Sequence, residues 1–267
     1  MKFALLEGER REPQPGLPGQ CPVCRDAVTA KCGEQRVWHW AHKGRRTCDP
    51  WWEPETEWHR TWKNLFPTSW QEVVHISEAS GGRHVADVRT PHGLVVEFQH
   101  SAIDPVERRS REAFYVNMVW VVDCTRLKND RPRLDKNLSQ WRRLPEGNVA
   151  ATHWPDEFLP KRWLDCSVPV LFDFDGLHID EHSDRHNHLI CLFPHRFDGQ
   201  ALYFPVHRAT LVKVANDEAA IFDWRRVHAD LRAQQEAYAD LQAQALKRSR
   251  THAALRARAK RRSWPRF

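Results

Sequence analysis

The chain reads as a mixed α/β (α+β) protein: one sheet flanked by helices, a small metal-binding module before it, and a β segment with a long basic helix after it. Three observations predict this. An apolar stripe at helical spacing precedes three strand-like runs between residues 53 and 100. A capped helix then leads into the wholly apolar run Met118 to Val122, and five cysteine and histidine candidates crowd into residues 21–48.

Taken in order, residues 12–20 hold three prolines and two glycines and form an irregular lead-in to Cys21-Pro-Val-Cys24. Trp58, Trp62 and Leu65 fall on one helical face within Glu53 to Phe66, and Pro67 ends that helix. Val73, Val74 and Ile76 mark a strand closed by Gly81 and Gly82. His84 to Arg89 and Leu94 to His100 flank Pro91-His92-Gly93, a composition suited to a tight reversal. Asp104-Pro105 is an N-cap and first-turn pair opening a helix to about Asn117, and Met118 to Val122 is a buried strand. A strand joined through a helix to another strand favours a parallel crossover, hence a mixed sheet. Trp141 and Trp154 are expected to anchor the polar stretch 124–160. Short apolar runs alternating with turn residues from Val168 to Val214 suggest a small β-rich segment. A long helix is expected from about Asp217, with Ile221, Trp224, Leu231, Tyr238 and Leu241 near one stripe. The divisions expected are therefore 1–50, 51–125, 126–165, 166–215 and 216–267.

At 267 residues the chain can bury a core without disulfides, and with 41% apolar and 28% charged residues it is globular. No apolar run approaches the ~18 residues of a membrane span, and Met1 to Arg11 has no secretory pattern. A cytoplasmic protein without a membrane partner is expected. Seven cysteines, an odd number, argue for reduced thiols or metal ligands over a disulfide framework. The net charge of +6 is a tail property: residues 225–267 hold 12 Lys or Arg against 3 Asp or Glu. Such asymmetry suits a polyanion such as DNA, or simply a solvated helix.

The thiolates of Cys21 and Cys24, three residues apart around a turn, can grip one tetrahedral ion. His39, His42 and Cys48 follow, which makes five candidates for four places, and zinc takes this mixture of sulfur and imidazole in closed structural sites. The set favoured is Cys21, Cys24, His42 and Cys48. His39 remains a possible substitute: alternation puts it on one side and Trp38, Trp40 and His42 on the other, which by itself does not decide between the two histidines.

If the hairpin turns around His92, Asp87 lies opposite Glu97, and directly opposed like charges destabilise a sheet unless something neutralises them. Gln99 shares that face, while Ala86, Val88, Leu94, Val96 and Phe98 form the core face. Magnesium or manganese, taking oxygen ligands, would neutralise the pair, ease deprotonation of water and stabilise charge on a phosphate. Glu57 on the preceding helix is a candidate third acid. The competing view is an ordinary hairpin whose acids pair with Arg83 or Arg89.

These residues together resemble the CoiA-like competence protein family, which carries a nuclease domain of the PD-(D/E)XK superfamily. The run Cys21-Pro-Val-Cys24, His39-Trp-Ala-His42 and Cys48 looks like its N-terminal zinc-ribbon-like motif. Glu55-Thr-Glu57-Trp-His59 with Lys63 resembles its first helix, and Ala86-Asp87-Val88 with Glu97-Phe-Gln99-His-Ser101 its catalytic strands. Arg111 with Tyr115 resembles the basic-aromatic helix that follows; Arg111 is a phosphate contact or a salt-bridge former, Tyr115 a core residue or else a stacking platform, and the neighbouring Arg109 a further candidate nucleic-acid contact. The likeness covers residues 20 to about 123. It implies a restriction-endonuclease-like core over 51–125 that cuts phosphodiester bonds of incoming or foreign DNA in competence or phage defence, alongside other proteins of such a system. It also implies Asp87 and Glu97 as magnesium or manganese ligands, Glu57 as accessory acid, and structural zinc. Gln99 stands where most of the superfamily has lysine; an amide cannot act as a general base, so proton removal rests on metal or on Lys63 reaching in.

Two other functions compete. Val170-Leu-Phe-Asp173-Phe-Asp175-Gly176 looks like the nucleophile motif of haloacid-dehalogenase-type phosphatases, but Leu177 follows where a hydroxyl residue is usual and only 91 residues remain. A catalytically inactive zinc-containing adaptor would instead use the basic tail for phosphate contacts.

Overall fold

The computed structural model describes residues 1–44, 48–76, 81–137, 142–143, 149–176, 187–217 and 224–262. The chain forms two units, Met1–Ile221 and Phe222–Phe267. The first holds two sheets.

The N-terminal sheet is antiparallel, with β1 (Ala4–Leu6), β2 (Glu9–Arg11), β3 (Pro18–Gln20), β4 (Ala27–Lys31) and β5 (His39–His42) in the order β2-β1-β3-β4-β5. Its strands are too short to bury much, so one large side chain does most of the packing: Trp40 sits among Ala4, Cys21, Val23 and Val28. Gly19 is required opposite it, because a Cβ there would meet the indole at 2.9 Å.

Among the described residues the second sheet has nine strands. They are β6 (Gln71–Ile76), β7 (Arg83–Arg89), β8 (Val95–Gln99), β9 (Met118–Asp123), β10 (Arg142–Arg143), β11 (Ala150–Thr152), β12 (Val170–Asp173), β13 (His188–Phe197) and β14 (Gln200–His207). Their order is β10-β11-β14-β13-β12-β9-β8-β7-β6, parallel at β8/β9 and β9/β12 and antiparallel elsewhere. The mixed sheet expected from the sequence is present. β8, β9 and β12 are buried along their whole length, as central strands covered on both faces must be. The turn between β7 and β8 is a three-residue loop with Gly93 at φ +82°, and Thr90 and Leu94 bond across its base at 2.9 Å.

Helix α1 (Glu57–Asn64) starts at a capping box in which Thr56 and His59 exchange bonds. Helix α2 (Pro105–Tyr115) is capped by Asp104, whose carboxylate accepts from Val106 and Glu107. Helix α3 (Asp130–Asn137) and helix α4 (Arg208–Asn216) follow β9 and β14. The second unit contains α5 (Trp224–Arg262). Among the described residues no helix is long and apolar enough to cross a membrane.

Several expectations need correcting. The small β-rich segment belongs to the main sheet: β12 pairs in parallel with β9, so one hydrogen-bonded sheet crosses the divisions drawn at 125 and 165. The long helix does not begin at Asp217, which instead caps the C-terminus of α4, and α5 starts at Trp224. Trp154 anchors little, being 63% exposed. Trp141, Leu177 and Ile221 lie outside the described residues.

Candidate active site and metal centre

The cysteine–histidine cluster is built by a tight knuckle and a strand end. The Cys21 amide donates to Asp26 and the Arg25 amide to Cys21, closing the turn that carries both thiols, with Arg25 at φ +65°. The end of β5 then delivers His42, and Cys48 follows. One ligand atom from each of Cys21, Cys24, His42 and Cys48 lies within 4.8 Å of all the others. Cys21 and Cys48 sulfurs are 3.8 Å apart, and His42 Nε2 lies 3.3 Å from Cys24 and 3.6 Å from Cys48. Zinc–sulfur bonds of ~2.3 Å in a tetrahedron put two sulfurs ~3.8 Å apart, so this donor set fits a zinc ion. His39 is not among the four. Its Nδ1 lies 2.9 Å from Val37 O, and alternation along β5 has turned it away from the face that carries Trp40.

The carboxylate hairpin has the register the turn implies, Val88 opposite Val96 and Arg89 opposite Val95. One step further the two strands part, and side chains take over the ladder. The Asp87 amide donates to Glu97 Oε1 at 3.2 Å, and the Phe98 amide to Asp87 Oδ2 at 3.0 Å. Asp87 and Glu97 therefore sit together at a fork in the sheet. Ala86, Val88, Val96 and Phe98 are buried as the core face. The other face is not open to solvent: Glu97 is 3% exposed, and Arg111 of α2 donates to its Oε2 at 3.1 Å. Burial raises the Glu97 pKa to about 8, Asp87 pushes the same way, and Arg111 only partly opposes them. Glu97 therefore favours its protonated form near neutrality unless a cation joins it.

Lys63, near the end of α1, does reach in. Its Nζ lies 2.8 Å from Glu55, 3.0 Å from Glu72 and 3.7 Å from Asp87. Burial alone would favour loss of its proton, yet the three carboxylates overcome this and the pKa is raised. Lys63 is thus a fixed cation and unsuited to act as a base. Glu72 is held well below the usual carboxylate range: burial opposes ionisation, but Lys63 and the amides of Lys2 and Phe3 outweigh it. It sits at φ +45°, a kink in β6 that aims the side chain at this cluster and breaks the alternation by which it could have been placed from sequence.

Glu57 is not in this group. Because Thr56 is the N-cap, Glu57 occupies the first helical position and is exposed, while Glu55, in the extended lead-in, turns inward. Glu57 lines a separate groove with His39 and Arg36. The acids that sequence reasoning missed are Asp49, Glu53, Glu55 and Glu72, all lining a cavity of about 60 Å³ together with Lys63, Asp87, Glu97, Arg111 and Tyr115. The phase of the Thr56-x-x-His59 cap was the one local signal that separated Glu55 from Glu57. Gln99 does not line the cavity; its amide nitrogen donates to Glu53 at 2.9 Å and to Ser101 O at 3.2 Å, bracing Glu53. Arg109 lies on the outer side of α2, more than half exposed and 4.0 Å from Asp165.

Asp173, of the phosphatase-like motif, is wholly buried. It accepts from the indoles of Trp58 at 2.9 Å and Trp62 at 3.0 Å, from Arg208 at 3.0 Å and from the Gly176 amide at 2.9 Å. Asp175 pairs with Arg131. Through its own bonds Asp173 joins α1 and Arg208 to β12, and among the described residues donors cover it on the sides from which a phosphoester would approach.

No curated protein and no solved structure matches the chain. Residues 20–50 match the family model described as Competence protein CoiA, N-terminal domain. Over that stretch, which holds all four members of the cysteine–histidine cluster, the chain is similar to the N-terminal domain of CoiA proteins.

Proposed function

We propose that the chain is a metal-dependent DNA nuclease whose divalent ion, magnesium or manganese, is shared by Asp87 and Glu97. The observation that supports this reading is the pairing of the two carboxylates at the sheet fork, on the wall of a polar cavity beside a buried lysine. Asp87 Oδ2 and both Glu97 oxygens each keep a lone pair beyond the hydrogen bond they accept, and Asp87 Oδ1 lies 3.7 Å from Lys63. A divalent ion bound there supplies charge neutralisation for the pair and Lewis acidity toward a phosphodiester. Arg111 orients Glu97, and Lys63, permanently charged, offers electrostatic stabilisation to an anionic phosphate without taking a proton. The structural zinc expected at the cysteine–histidine cluster would hold together a sheet too small for a core of its own. DNA as the polymer, and a place in handling incoming or foreign DNA, rest on the resemblance to CoiA-like proteins and on the basic tail.

Purified protein incubated with a labelled oligonucleotide tests the reading. Cleavage with manganese or magnesium, arrest by chelator, and loss of cleavage with retained DNA binding in Asp87→Ala are expected. Binding without metal-dependent cleavage would favour the adaptor instead.

A further inference from the structure

Asp49 follows the ligand Cys48 directly, and its side chain ends in the same fork that carries Asp87 and Glu97. Once β7 and β8 part beyond Val88, the Val85 amide has lost its strand partner; Asp49 Oδ2 accepts it at 3.0 Å. Asp49 Oδ1 accepts from His84 Nδ1 and from the Trp51 amide, each at 3.0 Å. The Trp51 indole stacks on the His84 ring at 3.3 Å between centroids and 12° between planes. The Trp51 carbonyl accepts from Arg111, the same guanidinium that holds Glu97. A buried carboxylate one residue from a cysteine ligand thus closes the fork on one side, and through Trp51 and Arg111 orients its acid on the other.

We propose that Asp49 is a positioning residue through which occupancy of the Cys21/Cys24/His42/Cys48 site sets the divalent-ion affinity of the Asp87/Glu97 site. The inference rests on the hydrolytic reading above for its second ion. An ion on Cys48 fixes the backbone of the next residue, whose Cα is ~3.8 Å along the chain. Released, Asp49 leaves Val85 and His84 without an acceptor and frees Trp51, and Arg111 loses the carbonyl that aims it at Glu97. Partners that orient ligands in this way typically change metal affinity ~10–100-fold when removed. A module that merely stabilised the fold would show no such selective effect.

The test uses the full chain loaded with zinc. Manganese binding is read from the electron paramagnetic resonance of the free ion, zinc content by a chromogenic chelator, and amide exchange by mass spectrometry over the segment 83–89. Asp49→Ala, which removes the acceptors for His84, Trp51 and Val85 together, should retain one zinc per chain. It should bind manganese ~10–100-fold more weakly and exchange faster over 83–89. Zinc depletion of the unaltered chain should reproduce both effects without any substitution. Unchanged manganese affinity in a zinc-retaining Asp49→Ala overturns the proposal, as does exchange over 83–89 that ignores zinc depletion. Should Asp87→Ala bind manganese like the unaltered chain, the hydrolytic reading fails separately, and exchange on zinc depletion still decides the coupling.

Discussion

Replacing Lys63 by methionine removes the one cation that Glu55, Glu72 and Asp87 share while keeping the side chain's length. Two of its ion pairs, at 2.8 and 3.0 Å, are with carboxylates that are less than a tenth exposed, as is Lys63 itself. Removing one partner of a buried pair leaves the other charge uncompensated and costs about 3–5 kcal/mol. For a unit of this size that corresponds to a fall of about 6–20 °C in Tm. The sign of the pH dependence follows from the carboxylates. In the native protein Glu55 and Glu72 have lowered pKa values, so their contribution is present above the ordinary carboxylate range and is lost as pH falls through their folded values. Without Lys63, burial raises both, so the variant regains stability by protonating them as pH falls. Thermal unfolding of both proteins at pH 8 and pH 5 should show a large gap at the higher pH and a smaller one at the lower. A gap under about 1 kcal/mol at pH 8, the worth of an exposed pair, would refute the claim that Lys63 is the buried keystone of this cluster.

Glu97 gives the opposite dependence. With its pKa raised to about 8 from an unfolded value of 4.5, its contribution is fully present below pH 4.5 and is lost as pH rises through 8. Metal-free protein should lose Tm across that window, manganese should restore more at pH 8 than at pH 6, and Glu97→Gln should flatten the slope; an unaltered slope in Glu97→Gln would contradict the assignment. Glu57→Ala should leave cleavage within about twofold, since the side chain is exposed and outside the cavity, whereas Glu55→Ala should impair it; equal losses would restore Glu57 to the site. Asp173→Ala strands two indoles and a guanidinium in the interior and should destabilise the chain by about 3–5 kcal/mol in urea unfolding, while a loss below about 1 kcal/mol would show that α1 is held by other contacts.

Local chemistry made much of this legible. Cys21-x-x-Cys24 with His42 and Cys48 announced the cluster, and the turn at Gly93 fixed the register that brings Asp87 and Glu97 together. What escaped depended on departures from periodicity or on distant partners. Glu72 enters the site through a left-handed residue in a strand, and Asp49 through a fork in which side chains replace the ladder. A single residue of phase at the start of α1 exchanged Glu57 for Glu55. The membership of β12 to β14 in the main sheet is set by a parallel pairing across 47 residues of chain, from Asp123 to Val170, which no local pattern encodes.

If Asp87 and Glu97 hold one ion between them, crystals of the zinc-loaded chain soaked in manganese, with diffraction recorded at wavelengths that distinguish the two metals, will reveal it. A manganese peak is expected within about 2.5 Å of an oxygen from each carboxylate, separate from a zinc peak among Cys21, Cys24, His42 and Cys48. A fork that stays free of manganese, or a manganese peak bound without Asp87 and Glu97, would rule out the shared ion.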